Sequence, residues 1–261
     1  MPTISVVMGI YNCAKTLEDA VNCIINQTYT DWELIMCDDC STDDTYSVAE
    51  SLAKKDDRIV LLRNEKNLTL APTLNKCIEH AKGKYVARMD GDDLCKLDRF
   101  EKEIAVLENN PDVAVVSCNM DLFDENGTYR TVYYNENPTL ANFVKASQFC
   151  HASCMMRTEI IKELKGYNVE EKCKRVEDYD LWVRLYGAGY KGYNIQESLY
   201  SMRDDRNAKK RRNWKNRVNE SRVMKRAFKL AKMPFYKYPL VYVPIIKFFT
   251  PNFIYKIFHK K

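Results

Sequence analysis

Four acidic clusters in this chain combine residue types that do chemistry. Asp38-Asp39 closes the apolar run Trp32–Cys37. A carboxylate there accepts a hydrogen bond from a nucleobase N–H, and Tyr11, ending the run Ile4–Ile10, offers a ring for the base to stack on. Capping the following helix is the competing role. Asp90-Gly91-Asp92-Asp93 closes Tyr85–Met89. Three carboxylates in four residues repel one another unless a cation or hydrogen-bond donors satisfy them. Hard oxygen ligands suit Mg2+ or Mn2+, which keep coordination sites for substrate phosphates. Gly91 allows close backbone approach, and an Asp-rich helix cap is again the alternative. Glu177-Asp178, with Asp180 two residues on, opens a helical pattern. A carboxylate there acts as general base toward a hydroxyl, or complements the helix N-terminus. Glu177 and Asp180 share a helix face, while Asp178 points elsewhere. Asp204-Asp205 stands before a basic segment, where charge balance is its simplest role.

Cys37-Asp38-Asp39-Cys40 has the spacing of a redox pair or half a zinc site. It lacks a second CxxC and a matching His pair, since the chain has only three His. Most of the ten Cys stand inside apolar runs, as small buried residues do. The N-terminus shows no basic stretch followed by a cleavable apolar one, and no run of about 18 apolar residues occurs. The expectation is free thiols in the cytoplasm.

These clusters need elements to position them. Strand patterns over Ile4–Ile10, Trp32–Cys37, Ile59–Leu62, Tyr85–Met89 and Val113–Cys118 alternate with helical patterns over Lys15–Asn26, Ser41–Lys54, Thr73–Ala81 and Lys96–Glu108. The alternation predicts an α/β fold: a mostly parallel, Rossmann-like sheet flanked by helices, with ligands beyond the carboxyl ends of its strands. Further on, Asp124–Gly127 reads as a turn, Cys150–Met156 as a strand and Glu177–Tyr186 as a helix.

The net charge of +5 conceals an asymmetry. Residues 1–205 hold 24 Lys/Arg against 35 Asp/Glu, whereas residues 206–261 hold 17 against the single Glu220. An acidic body therefore carries a basic tail, suited to a polyanion or an anionic membrane face. Within it, Arg206–Lys232 reads as a basic helix whose apolar positions Trp214, Val218, Val223, Phe228 and Leu230 form a loose stripe. Met233–Phe258 is aromatic-rich but interrupted by Pro234, Pro239, Pro244 and Pro251, with Lys237 and Lys247. That composition suits a segment lying in the membrane interface. Packing on the body is the alternative.

The order of motifs resembles the family 2 glycosyltransferases of the GT-A fold, of the bacterial surface-polysaccharide type, from about Ile4 to Arg203. The carrying residues are Ile4–Asn12, Asp38–Asp43, Ala87–Asp93 and Glu177–Leu185. The resemblance implies an inverting hexosyl transfer by single displacement from a nucleotide-sugar, usually UDP-linked. The acceptor it implies is a glycan or a polyprenyl-diphosphate-linked sugar. Residues 1–124 would form the nucleotide-sugar-binding half, 125–205 the acceptor-side half and 206–261 the tail that docks on the inner face of the cell membrane. Gly9, Tyr11, Asp38 or Asp39, Arg88 and Asp90 would hold the nucleotide. Asp90 and Asp92 resemble the DXD pair that holds Mn2+ or Mg2+. Asp178 resembles the catalytic base, and Glu177, Trp182 and His151 would stand on the acceptor side. A divalent cation neutralises a diphosphate leaving group, and a carboxylate takes the acceptor's proton. Arg63 adds positive charge near base or phosphates, or forms a structural ion pair.

Three departures matter. Gly9 stands where the family has Pro, and Thr69 where it often has Gly. The stretch Tyr200–Asp205 lacks the His that completes many metal sites, leaving Asp204, Asp205 or water as third ligand. A nucleotidyltransferase would want a glycine-rich basic loop that residues 9–16 do not supply. A nucleic-acid binder would leave the four aspartates Asp38, Asp90, Asp92 and Asp178 without a role.

Overall fold

The computed structural model describes residues 1–204 and 213–249. In chain order the elements begin with β1 (Ile4–Ile10), α1 (Leu17–Ile25), β2 (Trp32–Asp38), α2 (Thr45–Ala53), β3 (Ile59–Arg63), α3 (Leu70–His80) and β4 (Tyr85–Arg88). The four strands are parallel, in the order β3-β2-β1-β4. Every residue of β2 is buried, as a strand covered on both faces must be. Alternation sends Val6 and Met8 into a core with α1, and Val7 and Ile35 into a second core with α3.

The chain continues through β5 (Leu94–Cys95), α4 (Arg99–Asn109), β6 (Val113–Asp124), β7 (Gly127–Val132), β8 (Met155–Arg157), α5 (Thr158–Glu163), α6 (Glu177–Gly187) and β9 (Lys191–Arg203). β8 lies antiparallel between β4 and β6, and β9 runs parallel to β6 with β5 on its far edge. Turn Asp124–Gly127 joins β6 to its antiparallel partner β7. The expected α/β sheet with flanking helices is therefore present.

Some expected bounds shift. α3 begins at Leu70, because Pro72 needs no hydrogen bond from its nitrogen in the first helical turn. The strand expected over Cys150–Met156 is confined to β8, and His151–Ser153 forms a 3-10 turn. There Ser117 Oγ accepts from the Cys150 amide and Ser153 Oγ donates to the Cys150 carbonyl, so side chains take the place of ladder bonds.

α7 (Trp214–Leu230) packs on the body. Its buried stripe is Val223, Met224, Ala227 and Phe228, in one core with α6, while Trp214 and Leu230 are exposed. Asp180, fully buried on α6, pairs with Arg184 at 2.7 Å and with Arg226 of α7 at 2.5 Å. α8 (Val243–Phe249) follows a 3-10 segment over Phe235–Tyr242. The parts of the basic segment at 206–212 and 250–261 lie outside the described residues.

Candidate active site

A cleft of about 650 Å³ opens beyond the carboxyl end of β1, where Tyr11 is 47% exposed. Gly9, Tyr11, Asp39, Thr69 and Glu177 are among its lining residues, so three expected nucleotide-side residues and one acceptor-side residue share one space. A Cβ at Gly9 would lie 3.3 Å from both Leu70 and Thr73, so glycine lets α3 sit close to β1 at this wall.

The two aspartates ending β2 divide their work. Asp38 is fully buried, accepts from the Ser41 amide at 3.2 Å and pairs with Arg63 at 3.3 Å. Arg63 in turn stacks over Tyr46 at 4.2 Å. Asp39 accepts from Asn64 Nδ2 at 2.9 Å and from the Leu68 and Thr69 amides at 2.8 Å each. Those bonds hold Thr69 at φ 73° and ψ 175°, a region essentially reserved for glycine. The residue type is unusual for the turn, and Asp39 is what fixes the loop.

At the end of β4, carboxylate oxygens of Asp90, Asp92 and Asp93 lie within 4.8 Å of one another. A Cβ at Gly91 would meet Cys13 Sγ at 2.9 Å and Ile10 at 3.1 Å, so glycine allows the turn to seat on β1. Asp93 is buried: Tyr200 hydroxyl donates to it at 2.8 Å and the Arg203 amide at 2.8 Å. Burial, then the Asp90 and Asp92 charges, push the Asp93 carboxyl up to about 8. Asp92, solvent-facing, is also raised, by the protein around it and by Asp90. Crowded hard-oxygen donors whose ionised forms resist one another fit a divalent cation. Asp93 already accepts two hydrogen bonds from β9, whereas Asp92 is exposed and Asp90 only partly buried.

Arg88, nearly buried, donates to Asp90 at 2.6 Å, and its charge also acts on Asp178. Arg99, with no exposed surface, pairs with Glu103 at 3.0 Å and donates to the Arg88 carbonyl at 2.9 Å, bracing β4 where the acidic turn begins. Asp178 stands in the first turn of α6. Burial, then the Glu177 charge, push its carboxyl up to about 6. A group poised near neutrality suits a general base.

His151 Nε2 lies 2.7 Å from the Tyr167 hydroxyl, and its ring meets Trp182 edge-on at 6.0 Å. Burial, then the Arg88 charge, hold His151 well below its usual range, so it is neutral. Trp182 is fully buried and packs on Phe149 and His151, so its ring backs the wall that carries His151. Asp204 accepts from Tyr129 at 2.6 Å and is outside the acidic cluster, while Asp205 lies outside the described residues.

Sequence reasoning missed Tyr200 and Arg203. Tyr200 bridges Asp93 and the Asp90 amide, and Arg203 Nε donates to the Asp92 carbonyl at 3.1 Å. Their signal lies in Tyr200–Asp205, where a phenol and a guanidinium stand just before two acidic residues.

A strand-end acidic turn, a ring-bearing cleft and a carboxylate opening a facing helix define a GT-A type of glycosyltransferase. The chain belongs to glycosyl transferase family 2, whose family model matches residues 5–165. It is 41% identical over 261 residues to EpsE of Bacillus subtilis (strain 168), itself named as a glycosyltransferase, covering 100% of this chain and 94% of that one. It is 28% identical over 194 residues to WfaP of Escherichia coli, covering 74% of each. WfaP is named as a UDP-Glc:alpha-D-GlcNAc-diphosphoundecaprenol beta-1,3-glucosyltransferase. In structure it is similar to residues 1–349 of Staphylococcus aureus TarS in complex with UDP, with a TM-score of 0.73 at 17% identity, over 99% of this chain and 75% of that one.

Proposed function

We propose that this protein is an inverting, metal-dependent glycosyltransferase of surface-polysaccharide biosynthesis. It takes a sugar from a nucleotide-sugar, UDP-linked, to a hydroxyl of a glycan or polyprenyl-diphosphate-linked acceptor. The observation that carries this reading is the strand-end turn where carboxylate oxygens of Asp90, Asp92 and Asp93 lie within 4.8 Å of one another, with Arg88 donating to Asp90 at 2.6 Å.

Tyr11 stacks the base, and Asp38 or Asp39 orients it through the loops they hold. Asp90 and Asp92 would hold Mn2+ or Mg2+, which would supply positive charge to neutralise the diphosphate. Asp178 removes the proton from the acceptor hydroxyl as its oxygen bonds to the anomeric carbon. The bond from that carbon to the diphosphate oxygen breaks, and the diphosphate leaves with the electron pair. Arg88 stays charged and holds Asp90 through its hydrogen bond. Glu177 lines the cleft on the acceptor side, with His151 positioning that wall through Tyr167.

Residues 206–261 dock the protein on an anionic membrane surface at the inner face of the cell membrane. Support comes from the exposed Phe235, Tyr236 and Phe249 and from the charge of the segment. No helix among the described residues is long and apolar enough to cross a membrane.

Isothermal titration with UDP, with and without Mn2+, tests the donor site. Binding should need the metal and fall at least tenfold in Asp92→Asn. Metal-independent binding that the substitution leaves unchanged would overturn the metal assignment, and binding of GDP but not UDP would change the donor.

A further inference from the structure

A notch of about 70 Å³ lies where α7 and α8 meet the 3-10 turn Leu140–Val144 and the residue after it. Lys145, Arg217 and Lys247 line it, with Glu220 the one carboxylate and Met224 and Pro244 among its apolar surfaces. Arg217 bonds Glu220 at 2.6 Å, so the single negative charge is already matched and two lysines remain in excess. The notch is too small for a nucleotide or a sugar chain and admits a group of phosphate size.

An aromatic cluster adjoins it. Trp214 is one turn before Arg217 on the same face of α7, and Phe248 directly follows Lys247. The Trp214 ring meets Phe248 at 5.6 Å and Phe249 at 5.5 Å, and the two phenylalanines meet at 5.4 Å. All three rings are exposed. Cations that face a phosphate, beside rings that prefer the boundary between headgroups and acyl chains, match the two layers of a lipid surface.

We propose that this notch is a headgroup site for an anionic phospholipid, with Trp214, Phe248 and Phe249 as the anchor beside it. The proposal rests on reading the C-terminal segment as membrane-facing, and it names the residues and the lipid chemistry. Charge complementarity selects the occupant: three cations and one paired anion favour a phosphate over a second copy of the same basic surface.

The protein carries its own reporter. Of its three tryptophans, Trp32 and Trp182 are buried, so a spectral response to vesicles belongs to Trp214. Full-length protein is mixed with vesicles of phosphatidylcholine alone or with phosphatidylglycerol, and binding is read by sedimentation and tryptophan emission. Phosphatidylglycerol should bring binding, a blue shift and quenching by brominated acyl chains. Lys145→Ala with Lys247→Ala should lower the partition coefficient about 30-fold, and Trp214→Phe should abolish the spectral change. Unchanged partition in the double variant overturns the proposal, as does equal binding to phosphatidylcholine. A dimer that covers Trp214 without lipid overturns it too. So does binding that requires undecaprenyl diphosphate in phosphatidylcholine vesicles, which would make the notch an acceptor subsite. UDP titration on the same samples reports the donor site separately: intact UDP binding without vesicle binding sinks the membrane reading alone.

Discussion

The two walls of the cleft are built differently. The wall proposed for the donor is built on strand ends: β1 delivers Tyr11 and β2 delivers Asp39, which holds the Leu68 and Thr69 amides of the loop before α3. Both residues sit next to a buried strand whose position the sheet sets. The opposite wall, residues 168–177, has one short 3-10 turn, Glu171–Cys173, and an exposed Arg175 at φ 66°. It is held from outside itself. Asn75 of α3 ties both backbone groups of Tyr167 at 2.8 Å, and Asn219 of α7 donates to the Glu171 and Lys174 carbonyls. The difference teaches that the wall proposed for the donor is fixed by local strand geometry, whereas the wall proposed for the acceptor takes its shape from distant elements, α3 and α7.

The sharpest test of that division is Asp178→Asn. Loss of the base should lower kcat by about 10²–10⁴ with UDP affinity unchanged. Stability should move the other way. Folded Asp178 keeps its proton to about 6, against an ordinary 3.8, so stability falls as pH rises through that window. At neutral pH the ionised carboxylate costs the fold about 3 kcal/mol, and the variant should melt at higher temperature than the native chain. In the native enzyme, kcat should fall below about pH 6 as the base is protonated. A variant that loses UDP binding as well would merge the two walls into one unit.

A smaller effect is expected at Asn219→Ala. It leaves two carbonyls of the acceptor wall without their donor, costing about 2 kcal/mol. Acceptor KM should rise several-fold while the UDP titration stays as before. Equal losses on both substrates would show that α7 supports the whole sheet rather than one wall. The smallest effect belongs to the donor wall. Thr69→Gly relieves a side chain from a glycine-type conformation and should stabilise the protein by about 1 kcal/mol in chemical denaturation. A destabilised variant would mean that the threonine side chain contributes more than its backbone costs.

Why the first half of the fold could be read from the sequence follows from the same contrast. Continuous apolar runs such as Val6–Met8 and Leu34–Cys37 are what a parallel strand covered on both faces requires, and the second ends at the carboxylates Asp38 and Asp39. β9 gave no such signal. It carries Asn194, Gln196, Glu197, Ser198 and Ser201, and its register with β6 shifts at Cys118 and Asn119, which breaks any alternation. The part Tyr200 and Arg203 play was hidden for that reason. A motif gives residue order but not side-chain direction: the α6 face that buries Leu181 and Leu185 also buries the Trp182 ring. Asp180 likewise read as a site residue, yet it holds the Arg226 of an element 46 residues away.

The bonds from Tyr200 and Arg203 to Asp93 also set an order of events during synthesis. A ribosome that has released residues 5–165 has made the whole family-matching stretch, with Tyr11, Asp39 and the acidic turn all emerged. Asp93 then still lacks both donors, which come 107 and 110 residues later. The nascent chain therefore holds the Asp93 carboxylate beside Asp90 and Asp92 without either of its two donors until β9 arrives.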